Sequence, residues 1–203
     1  MFKWVFIILV SLGGFNFLTA ATDEPDHAIH EELRGVLGGI QNAVNTEHYD
    51  QLAQYFHKDM RVTTSNQEVL NSHEDITKFF NFWFGPGGVL KKVEMKLDAD
   101  ALTEFYANKT IGVVRGSGVE NCYLSDSRFF PMKTRWTATV IKDDDGKWRI
   151  LTLHIGINFL DNPVLSVAKE SANYFGIIGG VIGLLIGLLI GFFLWRKRKP
   201  LSI

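Results

Sequence analysis

Apolar residues are spaced along this chain in three regimes. From Ile29 to Val44 they recur three and four apart (Ile29, Leu33, Val36, Leu37, Ile40, Val44), the spacing of one helix face. Asn45-Thr46 breaks that run, and Tyr49, Leu52, Ala53 and Phe56 define a short second helix. Ser72 has the chemistry of a helix N-cap, with Asp75 three positions on, and Ile76, Phe79, Phe80 and Trp83 form the apolar face of the helix it opens. Gly85-Pro86-Gly87-Gly88 ends that helix. Beyond it the period falls to two, which predicts strands over 89–97, 102–106, 110–123, 133–142 and 148–159, with an earlier extended pair at 59–64 and 67–70. Asp143-Asp144-Asp145-Gly146 reads as a hairpin turn. Strict alternation on the last strand puts Arg149, Leu151, Leu153, Ile155 and Ile157 on one face, and Trp148, Ile150, Thr152, His154 and Gly156 on the other. Helices first and a long antiparallel sheet afterwards describe an α+β domain.

The third regime is unbroken hydrophobicity at both ends. Residues 1–21 combine a basic start, an apolar run and small closing residues, the pattern of a secretory signal peptide. Residues 174–195 carry no charge, and as a helix they would span roughly 33 Å, close to the hydrocarbon thickness of a bilayer. Arg196, Lys197, Arg198 and Lys199 follow directly, which places a 196–203 tail in the cytoplasm and the domain outside it, in the periplasm or extracellular space. The expected organisation is signal peptide 1–21, domain 22–160, linker 161–173, transmembrane helix 174–195 and basic tail. Gly179, Gly183, Gly187 and Gly191 recur every four residues, a stripe on which another helix backbone can approach closely. Such a zipper predicts self-association or a membrane partner.

Charge narrows the partners. The domain carries 16 Lys and Arg against 22 Asp and Glu, so an acidic ectodomain is hidden by the basic tail. Nucleic acid is excluded as a partner, since phosphate binding needs a basic face. The single cysteine, Cys122, has no intramolecular partner, so the fold rests on its core. His27 and His30, three apart at a helix start, lack further ligands, and the acidic turn lacks the downstream Glu of a calcium loop. No metal or cofactor is expected. Asn108-Lys109-Thr110 is a glycosylation sequon.

Four stretches in order (NTEHYDQLAQYFHKDMRV, SHEDITKFFNFWF, TRWTATVIKDDDGKWRI and the following LTLH) resemble the nuclear-transport-factor-2-like superfamily, with its polyketide-cyclase-like (SnoaL-like) and ketosteroid-isomerase-like members and the calcium/calmodulin-dependent kinase association domain. The resemblance covers about residues 28–159 and implies a curved antiparallel sheet wrapped, cone-like, around the N-terminal helices, with a pocket at the wide end. For an isomerase-like member it would place the base at Thr64, the oxyanion tyrosine near Ile40 and the oxyanion acid near Thr137 or Ala138, none of which can do that chemistry. Glu68 and Asp59 are the carboxylates that remain for an enzyme. The likeness to the kinase association domain instead puts Arg115, Arg135 and His154 forward as ligand-binding residues for an anionic group; an alternative for Arg115 is pairing with Glu120. The expected function is therefore a membrane-tethered, non-catalytic binding or assembly module for a small anionic or apolar ligand. An isomerase, cyclase or hydrolase acting on a small lipophilic substrate is the alternative.

Overall fold

The computed structural model describes residues 24–197; the signal-peptide prediction and the end of the tail lie outside them. Helix α1 spans His27–Asn45 and a 3₁₀ helix follows at Tyr49–Tyr55. Then come β1 (Phe56–Thr63), β2 (Val69–Leu70), α2 (His73–Phe84), β3 (Leu90–Ala99), β4 (Glu104–Tyr106), β5 (Ile111–Leu124), β6 (Phe129–Lys142), β7 (Trp148–Ile157) and α3 (Pro163–Lys197).

The sheet runs β2-β1-β7-β6-β5-β3, with β4 also on β5. Every pairing is antiparallel except one: β1 lies parallel to β7. The sheet is therefore mixed, not antiparallel throughout as alternation suggested. Period-two patterning identifies strands but carries no direction; here the 3₁₀ helix leads into β1 so that it runs parallel to β7.

The helices cover one face of the sheet, and the core lies between. Ile40, Ala43 and Val44 of α1, Leu52 of the 3₁₀ helix and Ile76 of α2 are buried against Met60, Val62 and Val140 among others. The cap expected at α2 is present: Asp75 N–H donates to Ser72 Oγ at 3.2 Å, and Asp75 Oδ2 accepts from Asn71 N–H at 2.9 Å. Edge strand β3 is partly closed by side chains of α1. Leu97 N–H donates to Gln41 Oε1 at 2.8 Å, and Asn45 bonds both backbone groups of Met95. This shields an edge that would otherwise be open for pairing.

Two irregularities decide which residues face the helices. Between Phe56 and Arg61 the β1–β7 register jumps from Ile150 to Thr152. On β7, Thr152 pairs with Thr139 and Ile150 with Val140, so Leu151 is the extra residue of a bulge. Trp148 and Ile150 are buried before the bulge, and Leu153 packs on the core after it. The strict alternation expected for this strand thus fails at one residue.

The segment expected as a linker is helical from Pro163. Asn162 Oδ1 accepts from Leu165 N–H at 2.9 Å, and Pro163 occupies the first turn, where its missing N–H costs nothing. At 35 residues, α3 extends about 52 Å; it is long and apolar enough to cross a membrane, and its apolar side chains are exposed along its length.

Candidate functional site

Between the helices and the inner face of the sheet is a cavity of about 270 Å³. Its floor comes from β1 and β7 through Met60, Val62, Leu153 and Ile155. Its wall is aromatic: α2 supplies Phe79, Phe80, Trp83 and Phe84. Phe79 meets Phe80 edge-on, with centroids 5.4 Å apart, and Phe80 is braced from behind by Tyr49, stacked at 4.2 Å. Such arrangements favour a rigid wall over a collapsible one.

Polar chemistry enters at two places. The first is the loop after β1, where Thr64, Ser65 and Asn66 line the cavity. There Thr64 hydrogen-bonds the Asn66 side chain, and Glu68 Oε1 accepts from Asn66 Nδ2 at 2.7 Å and from Trp83 Nε1 at 2.8 Å. Glu68 is thereby committed to holding the loop against α2. The second is β5, whose inner face presents Glu120 and Cys122. Burial pushes the Glu120 carboxyl above the usual carboxylate range. Thr134, diagonal to it on β6, pulls weakly the other way, although its shielded hydroxyl makes no hydrogen bond of normal geometry. Among the described residues no cation pairs with Glu120. Burial, and Glu120 beside it, push the Cys122 thiol up to about 11, so it stays protonated and unreactive near neutrality.

Space for this arrangement comes from glycine. Gly116 and Gly118 share the inner face of β5 with Glu120; a Cβ on Gly116 would run into the Trp136 ring and the Asp98 carbonyl. The indole instead lies across β5 and donates from Nε1 to Ser117 O at 3.0 Å.

The residues put forward from sequence are distributed differently. Thr64 and Ile40 do line the cavity, while Thr137 is exposed and Ala138 is buried outside it. Arg115 and Arg135 sit on the opposite face of the sheet from Glu120, because their odd positions on paired strands point away from the helices. Arg135 is engaged by Asp100 through both terminal guanidinium nitrogens. His154, paired with Thr63 and Thr137, is exposed on that same outer side. The structure therefore does not gather Arg115, Arg135 and His154 at the cavity. Asp59 is exposed as well. The carboxyl that does enter, Glu120, was legible in principle: it keeps the same parity as Gly116, Gly118 and Cys122 on one strand. Among the described residues no group of His, Cys, Asp and Glu could hold a metal. Gly179, Gly183, Gly187 and Gly191 lie on α3 with open space around each.

Many solved structures match this chain's fold. The fold is NTF2-like. An NTF2-like superfamily protein from Salmonella enterica superposes with a TM-score of 0.53 at 15% identity, covering 64% of this chain and 92% of that one. A hexachlorocyclohexane dehydrochlorinase from Novosphingobium barchaimii gives 0.57 at 14%, covering 66% and 88%. A candidate calcium/calmodulin-dependent protein kinase II association domain from Xanthomonas campestris gives 0.52 at 18%, covering 63% and 86%. No family model matches the sequence, and no curated protein is detectably similar to it. At these identities the NTF2-like likeness is one of fold; the counterparts include enzymes and an association domain, and the fold hosts both.

Proposed function

We propose that this protein is a membrane-tethered, non-catalytic binding module whose NTF2-like cavity holds a small apolar molecule bearing one hydrogen-bonding group. The observation that carries this is the lining: an aromatic and aliphatic enclosure in which Glu120 is the sole carboxyl among the described residues. General acid–base chemistry needs a group poised to exchange protons with a partner in reach. Glu120 has no basic neighbour, Cys122 is held as a thiol, and Glu68 is tied to Trp83. A single carboxyl in an apolar pocket instead offers one hydrogen-bonding group, which orients a ligand without turning it over. A volume near the small end of ligand sites, roughly 300 Å³, suits a compact molecule.

The uncharged span 174–195 within α3 is read as the membrane anchor, with the domain outside the cytoplasm and the basic tail inside. The glycine stripe supports association of anchors into an oligomer or with a membrane partner. The rival reading, an isomerase, cyclase or hydrolase, draws support from the dehydrochlorinase among the fold's counterparts.

The test is to purify the full chain from its membrane, extract it with organic solvent and identify what co-purifies. A near-stoichiometric apolar compound, chemically unchanged after prolonged incubation with the protein, is the expected result. Conversion of that compound by wild-type protein but not by Glu120→Gln would establish the enzyme reading instead.

A further inference from the structure

A second cavity, of about 400 Å³, lies at the other end of α1 and shares no lining residue with the first. Its walls are apolar: Leu33 and Leu37 from α1, Val114 from β5, Trp136 and Ala138 from β6. The end of β3 and the chain that leads on to β4 close one side with Ala99, Ala101, Leu102 and Thr103. Set into this enclosure is His30, only 5% exposed, its ring 5.1 Å from that of Phe105. The imidazole makes no hydrogen bond among the described residues, although it lines the cavity. Its ring nitrogens are not among the shielded polar atoms that lack a partner, so they open onto the cavity, where a ligand can bond them.

One helical turn further, on the same side of α1, Arg34 stands at the rim. It is 47% exposed and shared between Glu24 and Glu31. Glu24, 22% exposed, also acts on His30, so a ligand carboxylate enters here by displacing Glu24, and a guanidinium has five donors in a planar fork that matches a carboxylate. An imidazole inside and a guanidinium at the mouth, over an enclosure whose other lining is apolar apart from Thr103, place two donors on one side, that of α1.

We infer that this second cavity is a binding site for a small monocarboxylate with an apolar body. The carboxylate lies between His30 and Arg34, and the body packs along Leu33, Leu37 and Trp136.

The experiment is calorimetric titration of 3-phenylpropionate into the full chain in lipid nanodiscs, with empty nanodiscs as the blank. Wild-type protein is expected to bind saturably, one per chain. His30→Leu and Arg34→Gln should each weaken binding at least tenfold, and Ala101→Trp, at an exposed position, should abolish it by filling the mouth. Should His30→Leu lose its fold, Ala101→Trp decides. Glu120→Gln, in the other cavity, should leave this affinity unchanged. No saturable binding, equal binding of 3-phenylpropanol, or loss of binding in Glu120→Gln with retention in Ala101→Trp would each overturn the proposal.

Discussion

Asn45 clasps Met95 at two points: its Nδ2 donates to the Met95 carbonyl at 2.9 Å, and its Oδ1 accepts from the Met95 N–H at 2.7 Å. A side chain at the last turn of α1 thus stands in for the strand that β3 lacks on its outer edge. It also fixes the distance between α1 and β3, two walls of the cavity. Asn45→Ala leaves both backbone groups of half-buried Met95 without a protein partner, at about 0.5–1.5 kcal/mol for each hydrogen bond lost. Chemical denaturation should therefore show a loss of about 2 kcal/mol with an unchanged denaturant slope.

Gly116→Ala should cost about 1–3 kcal/mol, the range for forcing extra atoms into a packed core. The added methyl meets the Asp98 backbone, which cannot yield without disturbing the β3–β5 ladder, and the Trp136 ring. Loss of the Trp136 bond to Ser117 should be visible as a change in near-ultraviolet circular dichroism accompanying the fall in melting temperature.

Glu120 gives the domain a pH signature. Its carboxyl titrates higher in the folded state than in the unfolded chain, so the folded state binds the extra proton. Stability from this group is complete below the unfolded carboxylate range and is lost as pH rises through the raised folded value. Carboxylates held low by partners, such as Asp75 and Asp126, act in the opposite direction at acid pH. The informative quantity is therefore the difference in melting temperature between Glu120→Gln and wild type. It should grow in favour of the variant as pH is raised from about 4.5 upward. A flat difference across that range would remove Glu120 from the cavity account.

The outer-face residues make a contrasting prediction. Arg115→Ala, Arg135→Ala and His154→Ala should leave occupancy of the cavity unchanged, since all three point to the far side of the sheet. Native mass spectrometry of each variant checks this. Loss of ligand in any of them would restore the anion-pocket analogy.

Association through α3 is checked by Gly183→Leu with Gly187→Leu. Side chains on that stripe hold two helix backbones apart. Detergent-solubilised mass should fall toward that of one chain; an unchanged mass would remove the stripe from assembly.

Much of this architecture could be read from residue spacing. The three-and-four periodicity of Ile29 to Val44 gave α1, Ser72 gave the start of α2, and the Asp143–Gly146 turn is closed by Gly146 N–H donating to Asp143 O. What escaped has physical causes. The bulge at Leu151 shifts the phase of β7 by one, so strict alternation assigned Trp148 and Ile150 to the wrong set relative to Leu153 and Ile155. Asn162-Pro163 looks like a break, but the same pair is a cap followed by a first-turn proline. The arginines were assigned by analogy with another protein's pocket, whereas parity along β5 and β6 sends them outward and Glu120 inward.

Native mass spectrometry of the full chain, wild type against Ser65→Trp, tests the binding account most directly. Ser65 sits at the mouth of the first cavity with its backbone in a loop, so the indole can fill the opening without disturbing a strand. Wild-type protein should carry one small adduct per chain under gentle release and Ser65→Trp none. Equal adduct masses on the two proteins, or bare wild-type chains throughout, would contradict the account.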